Sequence, residues 1–214
     1  DVSFEKALKT AATYGVKAYK SYEEMLADTS IDIICVCTPS GFHANNTISA
    51  LSAGKHVIIE KPMALNVEDA DAIVALSEKT GKIVSVISQL RFTDCYAAIN
   101  SALRRGDFGK TILADISMKY HRSAEYYAGS AWRGTWELDG GGALMNQGIH
   151  SIDLIISLLG AVKRTFSFCR TLSHNIEVED TAAAVLEFES GAIGSIQAST
   201  ACYPGYSRRF EICG

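Results

Sequence analysis

Apolar and polar positions follow two different registers along this chain, and the change falls near residue 92. Before it, short apolar runs alternate with helical patterns. Phe4, Ala7, Leu8 and Ala11 recur at helical spacing, and Gly15 follows as a stop. Ser21 with Glu24 makes a capping box ahead of a short helix. The run from Ile31 to Cys37 is nearly all apolar, which predicts a parallel strand buried on both faces. Thr38-Pro39-Ser40-Gly41 breaks it. His43 to Ala53 predicts a helix closed by Gly54, and Val57-Ile58-Ile59 a strand ending at Glu60-Lys61-Pro62. Asn66 with Asp69 starts another helix that stops at Gly81, and Ile83 to Ile87 is the next strand. This alternation predicts a doubly wound parallel sheet with right-handed crossovers.

After Phe92 one more helix covers Asp94 to Arg105, and longer alternating strands follow. They are Thr111 to Tyr120, Val162 to Leu172, Thr181 to Glu189, Ala192 to Cys202 and Arg208 to Cys213, with a tight turn at Ser190-Gly191. A Gly-rich loop and a helix from Ala143 to Leu159 lie between the first two. Strands joined by short turns predict an antiparallel sheet with one solvated face. The chain therefore divides into residues 1–92 and 93–214. Apolar alternation on an outer sheet face would seek a partner, so a homo-oligomer, dimer or tetramer, is expected.

Composition narrows the function classes. Of 214 residues, 48% are apolar and 21% charged, an ordinary globular balance. The net charge is -4, and the longest basic cluster is Arg208-Arg209, expected as solvated surface. A nucleic-acid partner is therefore not expected. The chain has no apolar run long enough for a membrane span, and its start shows no signal peptide. Six cysteines make no Cys-x-x-Cys pair, so no metal is expected. Cys35 and Cys37 share one side of an apolar strand and are expected as buried thiols in a reducing cytoplasm.

A doubly wound sheet binds ligands at the carboxyl ends of its strands, where Thr38-Pro39-Ser40 and Glu60-Lys61-Pro62 fall. Lys61 follows an apolar strand inside a turn. Two readings stay open: an ion pair with Glu60, or a partly buried amine of lowered pKa that exchanges a proton near neutrality. Lys61-Pro62 is a candidate cis bond. Three glycines, Gly140 to Gly142, allow close backbone approach to a ligand or another chain segment. Beyond them Asn146 and His150 share a helical face, with Asp153 near it. His150 is either a satisfied core histidine or a base able to take a hydroxyl proton as hydride leaves the same carbon. Metal binding by His150 and Asp153 is a weaker possibility.

These residues, in this order and spacing, resemble the glucose–fructose oxidoreductase, inositol dehydrogenase and rhizopine catabolism (Gfo/Idh/MocA) family. The resemblance runs from Ile31-Asp32 through Thr38-Pro39, His43, Gly54-Lys55-His56-Val57, Glu60-Lys61-Pro62 and Arg91-Phe92. It continues through Trp132-Arg133, the triple glycine, His150-x-x-Asp153 and Val178-Glu179-Asp180-Thr181. It implies an N-terminal Rossmann domain, here lacking the first strand and glycine loop, and a C-terminal α+β domain with a large, mostly antiparallel open sheet. It also implies oxidation of a sugar, nucleotide-sugar or cyclitol hydroxyl with NAD or NADP. His150 falls at the family's general acid/base, and Lys61 at the lysine contacting the reacting hydroxyl. Thr38, Pro39, His43, Glu60, Lys61 and Gln89 match cofactor-lining positions, and Trp132 and Arg133 a segment closing over cofactor or substrate. Asn146, Lys61 and Arg91 are expected on the substrate side.

Two departures qualify the resemblance. The glycine fingerprint that holds pyrophosphate is missing ahead of Asp1, and the sheet would continue past Gly214, so truncation at both ends is expected. Asn146 stands where inositol-acting members usually carry aspartate, which makes inositol a less expected substrate than an amino sugar on a nucleotide. The alternative is a non-catalytic protein of the same fold that senses dinucleotide or sugar.

Overall fold

The computed structural model describes residues 1–214. In the first part, helices α1 (Phe4–Tyr14), α2 (Tyr22–Ala27), α3 (His43–Ser52) and α4 (Val67–Thr80) accompany strands β1 (Ile33–Val36), β2 (His56–Ile59) and β3 (Val84–Val86). The three strands pair in parallel in the order β1-β2-β3. Parallel neighbours need crossovers, and α3 and α4 supply them. Ser21 caps α2 by accepting from the Glu24 amide at 3.1 Å, and Asn66 caps α4 by accepting from the Asp69 amide at 2.7 Å. Each cap satisfies an amide that has no partner within its helix.

The apolar run at β1 is not buried on both faces. Ile34 and Val36 enter a core with Val57, Ile59, Leu51 and Ile73, while the opposite face stays open along β1. Cys35 and Cys37 lie on that open side and are exposed thiols, not buried ones. An apolar run signals strand, but only the packing of neighbouring elements decides which faces are covered.

The second part holds α5 (Asp94–Arg105), β4 (Leu113–Lys119), α6 (Ala124–Ala128), α7 (Ile149–Leu159), β5 (Val162–Arg170), β6 (Thr181–Phe188), β7 (Ile193–Ser199) and β8 (Arg209–Cys213). They form a five-stranded sheet in the order β5-β6-β7-β4-β8. The sheet is mostly antiparallel, as the alternating pattern suggests, but β4 runs parallel to β7. Short turns fix direction only within the β5–β7 meander. The long excursion over α6 and α7 separates β4 from β5, which leaves the direction of β4 relative to the meander free. One face buries Ile116, Met118, Phe188 and Ile196 against Ile155 of α7. The outer face leaves Phe166 63% and Phe168 59% exposed. No helix is long and apolar enough to cross a membrane.

The triple glycine serves contacts within the chain. The Ala143 amide donates to the Glu179 carbonyl at 2.9 Å, just ahead of β6. A Cβ on Gly142 would lie 1.7 Å from that same carbonyl oxygen, and one on Gly140 2.3 Å from Leu65. The loop can reach the sheet only because side chains are absent there. Gly142→Ala is therefore expected to destabilise the fold by about 3 kcal/mol or more, because the clash is with backbone that cannot rotate away. A urea titration checks this, and an unchanged midpoint would show that the loop has room to spare.

Candidate active site

A cleft of about 570 Å³ opens where the carboxyl ends of the parallel strands meet the second sheet. Lys61 arrives from the turn after β2, and Gln89 and Leu90 from the turn after β3. The opposite wall consists of Asn146, Gln147 and His150, with Tyr120, Arg122, Tyr126 and Arg208 beside them.

The segment carrying Asn146 and Gln147 is a π-helical turn, Ala143–Gly148, which runs directly into α7. Glu179 anchors its start. The Glu179 carboxylate accepts from the Gly142 amide at 2.8 Å and the Leu144 amide at 2.9 Å. Gly148 permits the wide turn, since a Cβ there would lie 2.9 Å from the Ala143 carbonyl oxygen. Such turns carry one extra residue per turn and gather at functional sites. Here the widening lets Asn146, Gln147 and His150 all face one cleft. A regular helix would rotate neighbours by about 100° each.

Lys61 does not pair with Glu60. Its Nζ donates to the Asn146 carbonyl oxygen at 2.8 Å and to Asn146 Oδ1 at 3.1 Å. An ammonium has three donors, so one remains for a ligand. Burial pushes the Lys61 pKa down from its ordinary value, while the charges of Glu60 and Asp139 oppose that shift. Asn146 is itself held, donating from Nδ2 to Asp139 Oδ1 at 2.6 Å, and the Gly134 amide fixes Asp139 through Oδ2 at 2.9 Å. Asp139 is buried, and burial raises its carboxyl pKa against the pull of these partners. The residues on both sides of the Lys61-Pro62 bond, which is cis, are thus tied into the fold.

The His150 ring takes part in none of the hydrogen bonds within the chain and lies half-buried in the cleft wall, which sets it apart from a satisfied core histidine. Burial lowers its pKa first, and the charges of Lys61 and Arg208 lower it further. A neutral imidazole at pH 7 can accept a proton. Asp153, expected near His150, is held instead by Arg91 in a two-pronged ion pair at 2.8 and 2.6 Å.

The structure brings Lys61, Gln89, Asn146 and His150 to the cleft and leaves other expected residues outside its lining. Arg91 lies outside the cleft lining, with its Nε and Nη2 held by Asp153. His43 is fully buried, with Nδ1 2.6 Å from the Pro62 carbonyl oxygen and Nε2 2.9 Å from that of Thr38. It staples the turns after β1 and β2 and is not itself open to a ligand. Thr38 is exposed at its strand end, with Pro39 and Glu60 partly exposed beside it. Arg133 stacks on Trp132, its guanidinium 4.8 Å from the ring centre. Arg208, expected as surface, lines the cleft, whereas Arg209 is the solvated one and pairs with Glu211. Asp139, Glu179, Arg122 and Arg208 are the residues that sequence reasoning missed. The only signal was that Asp139 and Glu179 flank or belong to segments already singled out.

Because Asp139 supports the charged form of Lys61, Asp139→Ala is expected to lower the Lys61 pKa further. NMR titration of isotopically methylated lysines reads this directly. A Lys61 resonance titrating at the ordinary lysine value, or unmoved by the variant, would contradict the geometry.

Comparison with known proteins follows the same lines. The family model described as "GFO/IDH/MocA C-terminal domain" matches residues 96–214, and "Oxidoreductase family, NAD-binding Rossmann fold" matches residues 1–88. A myo-inositol 2-dehydrogenase of Thermotoga maritima is 28% identical over 225 residues, covering 100% of this chain and 64% of the relative. The solved structure of the WlbA dehydrogenase from Bordetella pertussis, in complex with NADH and UDP-GlcNAcA, superposes with a TM-score of 0.96 at 35% identity. It is covered over 62% of its length, and all of this chain takes part. A levoglucosan dehydrogenase in complex with NADH and levoglucosan gives a TM-score of 0.92 at 25% identity, covering 100% of this chain and 60% of that one. The chain thus spans somewhat under two thirds of the length of these proteins. With both halves matched, in order, by the two domain models, the chain belongs to the Gfo/Idh/MocA oxidoreductase family.

Proposed function

We propose that the protein is an NAD(P)-dependent dehydrogenase acting on a hydroxyl of a sugar, nucleotide-linked sugar or cyclitol. One observation carries this reading: an ammonium with a donor to spare and an uncommitted imidazole share one cleft at the carboxyl ends of parallel strands. The turns after the parallel strands suit a dinucleotide, with Thr38 and Gln89 exposed and Pro39, Glu60 and Lys61 partly so. These five residues would hold it, and Trp132 and Arg133 belong to the segment that would close over it. When bound, the nicotinamide supplies the acceptor for hydride.

The chain's own groups handle the proton and the oxygen. His150 takes the proton of the reacting hydroxyl. Lys61 donates its third N–H to that oxygen and stabilises the negative charge that builds as the proton leaves. Asn146 uses one amide hydrogen on Asp139 and keeps the second for a neighbouring hydroxyl. No observation favours the sensing alternative. His150→Ala and Lys61→Ala are each expected to reduce turnover about 100-fold or more, with NADH affinity retained in the His150 variant. In the wild type, the acid limb of kcat/KM is expected below the ordinary imidazole value of 6.5, because the neutral ring is the active form and its pKa is lowered. Normal turnover in the His150 variant across a panel of sugars would remove the assignment.

The two stretches matched by the domain models, residues 1–88 and 96–214, support a boundary near residue 92. Six free cysteines, most of them exposed, support a reducing, cytoplasmic setting. The apolar outer face of the second sheet, with Phe166 and Phe168, supports a homo-oligomer built on that face. Phe166→Asp with Phe168→Asp is expected to lower the mass read by light scattering, and an unchanged mass would move the interface elsewhere.

A further inference from the structure

The cleft carries more positive charge than the proposed proton transfer uses. Besides Lys61, it is lined by Arg122 and Arg208, and no aspartate or glutamate lines it, although the chain holds 24 acidic residues. Neither arginine takes part in an ion pair, whereas Arg91, Arg105, Arg164 and Arg209 each do. The Nε atoms of Arg122 and Arg208 are buried without a hydrogen-bond partner. Arg208 reaches only the Gln147 carbonyl oxygen, at 3.3 Å. Aromatic rings hold the guanidiniums in place of acids. Arg122 lies 5.0 Å from the Tyr126 ring centre and 5.9 Å from that of Tyr120, and Arg208 lies 5.9 Å from Tyr120.

We propose that Arg122 and Arg208 form a recognition subsite for an oxyanion on the substrate, so that the sugar carries a carboxylate or phosphate. This rests on the dehydrogenase reading and names its substrate class. A guanidinium offers a planar fork of donors that matches a carboxylate or phosphate. Arg122 and Arg208 are partly buried, and taking a cation even partly out of water without a counter-charge is costly. A neutral sugar would leave the guanidinium charges uncompensated, whereas a bound anion supplies the missing counter-charge. The two arginines belong to the second sheet's side of the cleft, on the wall with His150 and away from the strand ends assigned to the dinucleotide. The anion is therefore the substrate's and not the cofactor's.

The test is calorimetric titration of the full-length protein with NADH present, using four probes: UDP-GlcNAcA, UDP-GlcNAc, free glucuronate and glucose. The wild type is expected to bind at least one anionic probe ten- to a hundredfold more tightly than glucose, roughly the worth of hydrogen bonds to a charged group. Tighter binding of UDP-GlcNAcA than of UDP-GlcNAc assigns the arginines to the carboxylate. Equal binding of the two, with glucuronate silent, assigns them to the phosphates. Arg122→Gln and Arg208→Gln should each remove most of that preference, the matching lysine variants should restore part of it, and NADH affinity should stay constant as the control for folding. Glucose bound as well as every anion by the wild type overturns the proposal without need of any variant. So does loss of NADH affinity with sugar preference intact. Should the His150 variant keep full turnover while the arginine variants lose anion binding, the dehydrogenase reading falls and the subsite stands. The reverse pattern removes the subsite alone.

Discussion

The contact between the Lys61 ammonium and Asn146 ties the turn after β2 to the turn that leads into α7, and both line the cleft. A lysine taken partly out of water must find acceptors, and here both come from one residue 85 positions further along the chain. Asn146 can serve only because its own amide is fixed by Asp139, and Asp139 only because Gly134 fixes it in turn. Breaking any link leaves a buried polar group unpaired, so the arrangement holds as a unit. Other ties reinforce the same junction. The Gly41 amide donates to the Leu138 carbonyl at 2.9 Å, and Arg91 grips Asp153.

The two halves divide the work. The parallel sheet offers open turns at its strand ends, which suit a long, flexible ligand that binds through backbone. The mixed sheet offers rigid side chains on a glutamate-anchored turn. The first sheet presents to the cleft a single charged side chain, Lys61, and the second presents the imidazole and the arginines. Burial holds the His150 pKa down, and the charges of Lys61 and Arg208 add to it, so the cations at this junction favour the neutral ring.

Much of this was legible in the sequence, and the reasons for the gaps are physical. Strand and helix positions followed from periodicity and caps, as at Ser21 and Asn66, because those signals are local. Lys61 and His150 stood out because a polar group in an apolar setting needs a cause. Burial of β1 was overread, because an apolar run does not report whether a neighbour covers it. The parallel pairing of β4 with β7 lay beyond reach, since nothing local records the direction of a strand divided from its sheet neighbours by a long excursion. Arg208 was taken for surface because it adjoins Arg209, yet alternation along a strand edge sends neighbours to opposite sides. Asp139 and Glu179 act through partners 7 and 37 residues away, and no spacing rule covers such pairs.

The π-helical turn at 143–148 makes the length of this segment a matter of angle. The turn holds one residue more than a regular turn, so deleting one residue between Gly142 and Ile149 would let it close to regular helix and turn Asn146 and Gln147 by about 100° relative to α7. His150 and Ile155 both lie on α7 and keep their places relative to each other, so the residue that loses its seat is Asn146, and with it the Lys61 contact. Point substitutions can drift through this stretch one at a time, but a change in its residue count cannot. A lineage that keeps its length here retains the seat of Asn146 beside the imidazole. One that loses a residue must rebuild the wall of the cleft from other side chains.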